Sequence, residues 1–326
     1  MEKFRWGILS TGGIAQAFAK DIQRLEGHAV AAVGSRTREG AQAFASQFEG
    51  CRAFSSYEAL VADPDIDAIY VATPQPFHLA HTLLALHAGK PVLCEKPFAV
   101  NAAQAKLMID TAHSSNLALM EAMWTRFLPH IHKVRQILAA GTLGEIYSVE
   151  ADHGQRLAEK NIPRLALPEY AGGSLLDLGV YPISFAHLVL GVPTKITASS
   201  SFTKEGVDSS TTAIFDYPSG AQAILTSNMV VATPCTAVIS GSLGRLEIDR
   251  TFYNPASMRV TLNDESITEY LRDYEGHGLR EQAVEFARVV RAGLLESPYL
   301  THAETLSIMK SMDEIRRQVN LVYPFE

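Results

Sequence analysis

The sequence predicts an α/β protein in two parts. An N-terminal half is built on a parallel sheet covered by helices, and an α+β half follows around a large, mainly antiparallel open sheet. Three observations carry this. The length of 326 residues is about twice a typical domain of ~150. Residues 1–120 alternate β-branched apolar runs with helical patterns, the rhythm of βαβ units. From Lys195 to Arg272, strand-like segments follow one another, broken by turn signals such as Tyr217-Pro218-Ser219-Gly220 and Gly241-Ser242-Leu243-Gly244.

In chain order, the apolar runs predict strands from Arg5 to Ser10, Ala29 to Gly34, Ala68 to Ala72, Pro91 to Cys94 and Leu117 to Met120. Gly89-Lys90-Pro91 ends the helix before the fourth strand, since glycine is favoured just past a helix C-terminus and proline cannot continue one. Asn101, with Gln104 three residues on, caps a helix from Ala102 to Ser114, and Ala105, Met108, Ile109 and Ala112 mark its apolar face. Beyond the boundary, helical patterns run from Pro129 to Ala140, Val180 to Leu190, Leu279 to Ala292 and Ala303 to Val319. The division falls between residues 1–121 and 122–326, the first expected to bind a dinucleotide.

Composition narrows the function. Hydrophobic residues at 47% and charged residues at 19% exclude a disordered chain. The balance of 28 basic against 35 acidic residues, net −7, offers no basic run to neutralise a line of phosphates, so no nucleic-acid partner is expected. The start Met1-Glu2-Lys3-Phe4-Arg5-Trp6 carries no apolar leader, and no apolar stretch is seen to approach the ~20 residues of a membrane span. A cytoplasmic protein without a membrane partner is the expectation. Cys51, Cys94 and Cys235 are odd in number and far apart, which predicts free thiols rather than a zinc site or redox dithiol.

The segment Ser10-Thr11-Gly12-Gly13-Ile14-Ala15 follows the first strand and opens a helix, the setting of the G-x-G-x-x-G/A dinucleotide turn. Ser10 takes the first glycine position, Gly12 the second and Ala15 the third. The middle position matters most, because a side chain there would collide with a pyrophosphate held by backbone N–H groups at the helix N-terminus. After the second strand, where an NAD site offers an acid to the ribose hydroxyls, stand Ser35, Arg36 and Arg38, with no acid before Glu39. Ser35 can donate a hydrogen bond, and Arg36 can stack on adenine or pair with a 2′-phosphate. The charge therefore favours NADP, with NAD the weaker alternative.

Two further motifs carry chemistry. Glu95-Lys96-Pro97 follows a strand whose C-terminal end should face the cofactor crevice, which aims an ammonium there. Gly172-Gly173-Ser174-Leu175-Leu176-Asp177-Leu178-Gly179-Val180-Tyr181 places Asp177 and Tyr181 four positions apart, on one face if the segment is helical. The pairs His78/His81 and His130/His132 lack a carboxylate or cysteine cluster at ligand spacing, so no metal is expected.

These motifs, with Arg5-Trp6-Gly7-Ile8-Leu9-Ser10 and the stretch from Met120 to Pro129, resemble the glucose-fructose oxidoreductase and inositol dehydrogenase (Gfo/Idh/MocA) superfamily over essentially the whole chain. The likeness is strongest to its branch of trans-1,2-dihydrobenzene-1,2-diol dehydrogenases and NADP-linked D-xylose 1-dehydrogenases. Tyr181 stands where many sugar dehydrogenases of the superfamily have histidine. The resemblance implies a Rossmann domain and an α/β domain whose open sheet commonly joins a homodimer or higher homo-oligomer. It also implies that Gly12, Gly13, Ile14, Ser35, Arg36, Thr73, Pro74, His78, Glu95 and Lys96 line the cofactor, with Trp124 and Arg126 near its phosphates or nicotinamide end. Asp177 and Tyr181 would face a small-molecule sugar or cyclic diol, and His153 and Arg164 are further candidates for substrate contact.

Hydride transfer from a secondary alcohol or hemiacetal carbon requires a base for the hydroxyl proton and a positive neighbour for the developing oxyanion. Lys96 meets the second need and Tyr181 the first, provided the phenol is acidified by the ammonium and nicotinamide charges. A desolvated Lys96 carrying the proton itself is the alternative. Asp177 would orient Lys96 or bind a substrate hydroxyl. Two other classes stand beside a dehydrogenase: an enzyme that recycles a held NAD with no net redox change, and a catalytically silent sensor of nucleotide or sugar.

Overall fold

The computed structural model describes residues 3–160 and 162–326. Contacts divide the chain into two compact units, residues 1–127 with 276–305, and residues 128–275 with 306–326. A single cut between residues 121 and 122 does not capture the return of residues 276–305 to the first unit. That return has a physical cause in Asp21, whose carboxylate accepts hydrogen bonds from the backbone N–H groups of His277 (3.2 Å), Gly278 (2.9 Å) and Leu279 (2.8 Å).

The first unit alternates β1 (Phe4–Leu9), α1 (Gly13–Ile22), β2 (His28–Gly34), α2 (Arg38–Ala45), β3 (Arg52–Phe54), α3 (Tyr57–Val61), β4 (Ala68–Val71), α4 (His78–His87), β5 (Val92–Glu95), α5 (Ala102–Ser114) and β6 (Leu119–Ala122). Its six strands are all parallel, in the order β3-β2-β1-β4-β5-β6. The order reverses at β1 and β4, and a crevice outside their C-terminal ends is where such sheets bind ligands. Strands covered on both faces are buried along their whole length, as β4 and β6 are, and so read as apolar runs, broken in β6 only by Glu121. The α5 cap forms as expected: Asn101 Oδ1 accepts from the Gln104 N–H at 2.9 Å, and Gln104 Oε1 from the Val100 N–H at 3.3 Å. Strand β3 was not foreseen; three residues with little burial leave no apolar signature.

In the second unit lie α6 (Pro129–Ala139), β7 (Ile146–Gly154), the short α7 (Pro163–Ala166) and α8 (Val180–Leu190). Then come β8 (Lys195–Phe202), β9 (Asp208–Asp216), β10 (Gln222–Asn228), β11 (Ala237–Gly241), β12 (Gly244–Ile248), β13 (Met258–Leu262) and β14 (Ile267–Tyr270). Eight strands run in the order β14-β13-β12-β11-β7-β10-β9-β8, antiparallel except for the β7–β10 pair. Two helices follow, α9 (Arg280–Arg291) in the first unit and α10 (His302–Val319), which begins there and ends in the second.

The expectation that no apolar stretch approaches membrane-spanning length needs correcting. Pro168–Leu190 is long and apolar enough, yet 83% of its most apolar window is buried inside the protein. It contains α8, apolar on all sides because it lies within the second unit's core.

Candidate functional site

The first unit presents the phosphate turn. Ser10 turns the chain after β1 with φ 111°, and its Oγ accepts from the Gly12 N–H at 3.1 Å. Gly12 caps α1 without a side-chain hydrogen bond, so the helix's first N–H groups keep no side-chain acceptor. A Cβ built on Gly13 would meet nothing within 4 Å, and one on Gly12 only Ser10 Oγ at 3.5 Å. A dinucleotide pyrophosphate fits this open cradle at a helix N-terminus. Thr11 and Ile14 flank the same turn.

Ser35, buried at the end of β2, accepts from the Thr37 N–H at 3.4 Å, and Thr37 caps α2. Arg36 and Arg38 are exposed, and neither has an ion pair or hydrogen-bonded side chain among the described residues. Of the residues after β4, Pro74 opens a short turn, and the Thr73 side chain meets His81 Nδ1 at 2.9 Å. His78 is buried between two carbonyl oxygens, with Nε2 2.8 Å from Thr73 and Nδ1 2.9 Å from Pro97. Burial pushes its imidazole down to about 4. The ring therefore braces the Lys96-Pro97 loop against the end of β4.

Glu95 is buried and takes a hydrogen bond from the Tyr70 hydroxyl, while its other oxygen accepts from the Lys96 N–H at 3.1 Å. Tyr70 stacks on Phe18 of α1 at 3.8 Å. The carboxylate fixes the backbone of Lys96, whose side chain is half-buried. Next to it on the sheet, burial pushes the carboxyl of Glu121 up to about 7, and the Thr305 hydroxyl donates to it at 3.1 Å. Arg126 is buried and ion-paired with Glu304, and Trp124 stacks on His277 at 5.4 Å. Asp21 and His277 went unseen in the sequence, because nothing local marks a bond across more than 250 residues.

The second unit assembles a polar aromatic cluster. His153, at the end of β7, stacks on Tyr253 at 3.9 Å and meets Tyr181 edge-on at 5.1 Å. Gln155 Nε2 lies 2.8 Å from His153 Nε2 and donates to the Tyr253 hydroxyl at 3.1 Å. Burial pushes the Tyr253 phenol well above its ordinary range, so it stays a hydroxyl donor. Asp177 pairs with Arg164 at 3.2 Å. Asp177 and Tyr181 lie on consecutive turns, the first in a wide π-turn (Leu175–Gly179) that runs into α8. Such turns recur at functional sites. The sequence-derived substrate residues thus fall into two contacting pairs, and Tyr253 and Gln155 are additions. His130 Nε2 meets the Phe252 carbonyl at 3.0 Å, and among the described residues no group of three His, Cys, Asp or Glu side chains is arranged to hold a metal.

Asp208, at the start of β9, anchors this turn. One carboxylate oxygen accepts from Ser174 Oγ (2.7 Å), the Leu175 N–H (2.8 Å) and Thr211 Oγ1 (2.8 Å). The glycine pair is explained by the same packing. A Cβ on Gly173, which has φ 115°, would lie 2.0 Å from Asp208 Oδ1, and one on Gly172 would lie 2.5 Å from the Leu165 carbonyl oxygen. Asp208→Ala is expected to cost about 3 kcal/mol or more, since buried donors lose their acceptor; a fall in thermal midpoint checks this. Burial pushes the Asp208 carboxyl up to about 6. A raised carboxyl favours the folded state when protonated, so its contribution is full below pH ~4 and is lost as pH rises through about 6. Asp208→Asn, which keeps an acceptor without titrating, should flatten that decline.

Together the parallel sheet and its open glycine turn define an enzyme of the dinucleotide-dependent Rossmann class. The chain belongs to the Gfo/Idh/MocA oxidoreductase family. The pattern described as an oxidoreductase family with NAD-binding Rossmann fold matches residues 4–123, and the GFO/IDH/MocA C-terminal domain matches residues 131–247. The chain is 35% identical to D-xylose 1-dehydrogenase (NADP(+)) of Hypocrea jecorina, covering 98% of this chain and 93% of that protein. It is 36% identical to trans-1,2-dihydrobenzene-1,2-diol dehydrogenase of Sus scrofa, over 98% of each. Among solved structures it is similar to a 3-ketoreductase of Actinomadura kijaniata in complex with NADP and TDP-benzene (TM-score 0.86, 28% identity, 98% of each chain). It is also similar to aldose-aldose oxidoreductase of Caulobacter crescentus complexed with glycerol (TM-score 0.88, 26% identity, 98% of each chain).

Proposed function

We propose that this protein is an NADP-dependent dehydrogenase acting on a secondary alcohol or hemiacetal carbon of a sugar or cyclic trans-diol. The observation that carries this reading is the full-length likeness to an NADP-linked D-xylose dehydrogenase and to dihydrodiol dehydrogenases. The exposed Arg36 beside the open turn supports NADP over NAD. When bound, the nicotinamide takes or gives the hydride.

The chain's own residues supply the rest. Backbone N–H groups of the first turn of α1, from Gly13 and Ile14, hold the pyrophosphate. Glu95 sets the backbone of Lys96, and the ammonium steadies negative charge developing on the substrate oxygen. Tyr181 moves the hydroxyl proton at its phenol oxygen, with His153 and Tyr253 fixing the ring. Asp177, held by Arg164, binds a substrate hydroxyl. The test is a survey of D-xylose, D-glucose, myo-inositol and a trans-dihydrodiol with NADP⁺, read at the reduced-nicotinamide absorbance. The expected result is turnover of xylose or the diol; silence in both directions with nucleotide binding intact would leave a sensor.

A second reading, internal recycling of a held nucleotide, draws support from the likeness to an aldose-aldose oxidoreductase. Two further proposals concern assembly and location. The second unit's sheet leaves Ile214 and Ile224 37% and 43% exposed and directly opposite each other in register, which suits a homodimer formed through that face; a dimer mass in sedimentation checks it. Three free cysteines suit the reducing cytoplasm, which cell fractionation checks.

A further inference from the structure

The loops after β2, β1 and β4 stand side by side on the sheet, because β1 pairs with both β2 and β4. The phosphate turn is the middle one, flanked by Ser35 and Arg36 on one side and Thr73 on the other. Behind Thr73 sits a cluster that neither the motifs nor the proposed chemistry uses. The His81 ring, half-buried on α4, meets Thr73 Oγ1 at 2.9 Å through Nδ1. The Tyr57 ring of α3 packs edge-on against it at 4.8 Å, and Phe77 stacks at 5.9 Å. Arg36 acts electrostatically on both Tyr57 and His81, so the guanidinium and the imidazole occupy one field.

We propose that His81 is a second recognition element for the coenzyme's 2′-phosphate, charging when NADP binds and staying neutral when NAD binds. This rests on the reading that Arg36 pairs with that phosphate.

The groups facing His81 decide the sign. Burial holds its imidazole below the ordinary histidine range, Glu58 of α3 acts in the opposite sense, and Arg36, from the loop after β2, adds a smaller lowering. On its own helix, His78 is buried and feels His81 as a further repelling charge. Tyr57 and Thr73 contribute only neutral dipoles near pH 7. A 2′-phosphate carrying about −1.5 to −2 charges, brought to Arg36, offsets the cation's repulsion and adds attraction. The imidazole therefore takes up a proton as NADP binds. By linkage, NADP affinity falls as pH rises between the free and bound pKa values. The phosphate's own ionisation near ~6 acts in the opposite direction, so the effect is cleanest at pH 7 and above.

Calorimetric titration of the full-length protein at pH 7.0, in buffers of different ionisation enthalpy, counts the protons. Net proton uptake is expected on binding NADP⁺, and close to none on binding NAD⁺. His81→Asn keeps a partner for Thr73 without titrating, and His81→Gln keeps a polar group at the ring's far end. Both should lose the uptake and bind NADP⁺ about 3- to 10-fold more weakly at pH 7, with NAD⁺ binding unchanged. Equal uptake for the two coenzymes in the unaltered protein, or full uptake in His81→Asn, overturns the proposal.

If both variants lose NAD⁺ binding as well, the His81 ring-proton resonance of the unaltered protein decides. An upward pKa move with NADP⁺ supports the assignment, and its absence overturns it. Arg36→Gln separates the two readings. If it removes the NADP preference while His81→Asn keeps full uptake, only the His81 inference fails. If Arg36→Gln keeps the preference, the Arg36 reading fails and the His81 inference that rests on it falls with it.

Discussion

Lys96→Met is expected to lower kcat by roughly 10²- to 10⁴-fold while leaving NADP⁺ affinity nearly unchanged. Methionine matches the side chain as far as its ε position and removes the terminal ammonium, its charge and its hydrogen-bond donors. The Glu95 contact that fixes this position is made to the Lys96 backbone N–H at 3.1 Å, so the loop should survive the substitution. A loss confined to turnover means that the ammonium acts mainly in the transition state. Steady-state kinetics beside a nucleotide titration checks this, and wild-type turnover in the variant would remove Lys96 from the chemistry.

Tyr181→Phe is expected to cost a similar factor, roughly 10²- to 10⁴-fold in kcat. The ring's contacts with His153 and Tyr253, at 5.1 Å each, depend on the aromatic body and not on the hydroxyl, so phenylalanine should keep the cluster packed. If the phenol moves the proton, the variant also loses the pH dependence that belongs to it. Should Tyr181→Phe lose only a fewfold while Lys96→Met loses the full factor, the proton would belong to Lys96. A pH–rate profile of both variants separates these assignments.

Much of this architecture was legible because its causes are local. Apolar runs mark strands covered on both faces, so five of the six strands of the parallel sheet were readable in advance. The α5 helix begins and ends where its cap residues place it, from Ala102 to Ser114. The glycine turn and the Glu95-Lys96-Pro97 and Gly172-to-Tyr181 motifs pointed to chemistry because their spacing carries their geometry.

What stayed hidden depends on partners distant in sequence. The parallel pairing of β7 with β10 joins Ser148 to Gln222, a register that no turn specifies. Tyr253 joins His153 and Gln155 only through the fold, 98 residues from Gln155 along the chain. Asp208 looks like any acid at a strand start until its three donors converge. His81 looked like half of an idle histidine pair. Only the fold sets it against Tyr57 and Thr73, and His78 between two carbonyls.

The most direct test of the central claim is stoichiometric. Purified protein is given excess NADP⁺ and a limiting amount of the substrate it turns over best, in the presence of a carbonyl trap. NADPH formed is then compared with substrate consumed. A dehydrogenase with net redox chemistry yields one NADPH for each substrate molecule oxidised. Substrate consumption without NADPH accumulation would contradict the account and leave the internally recycling reading in its place.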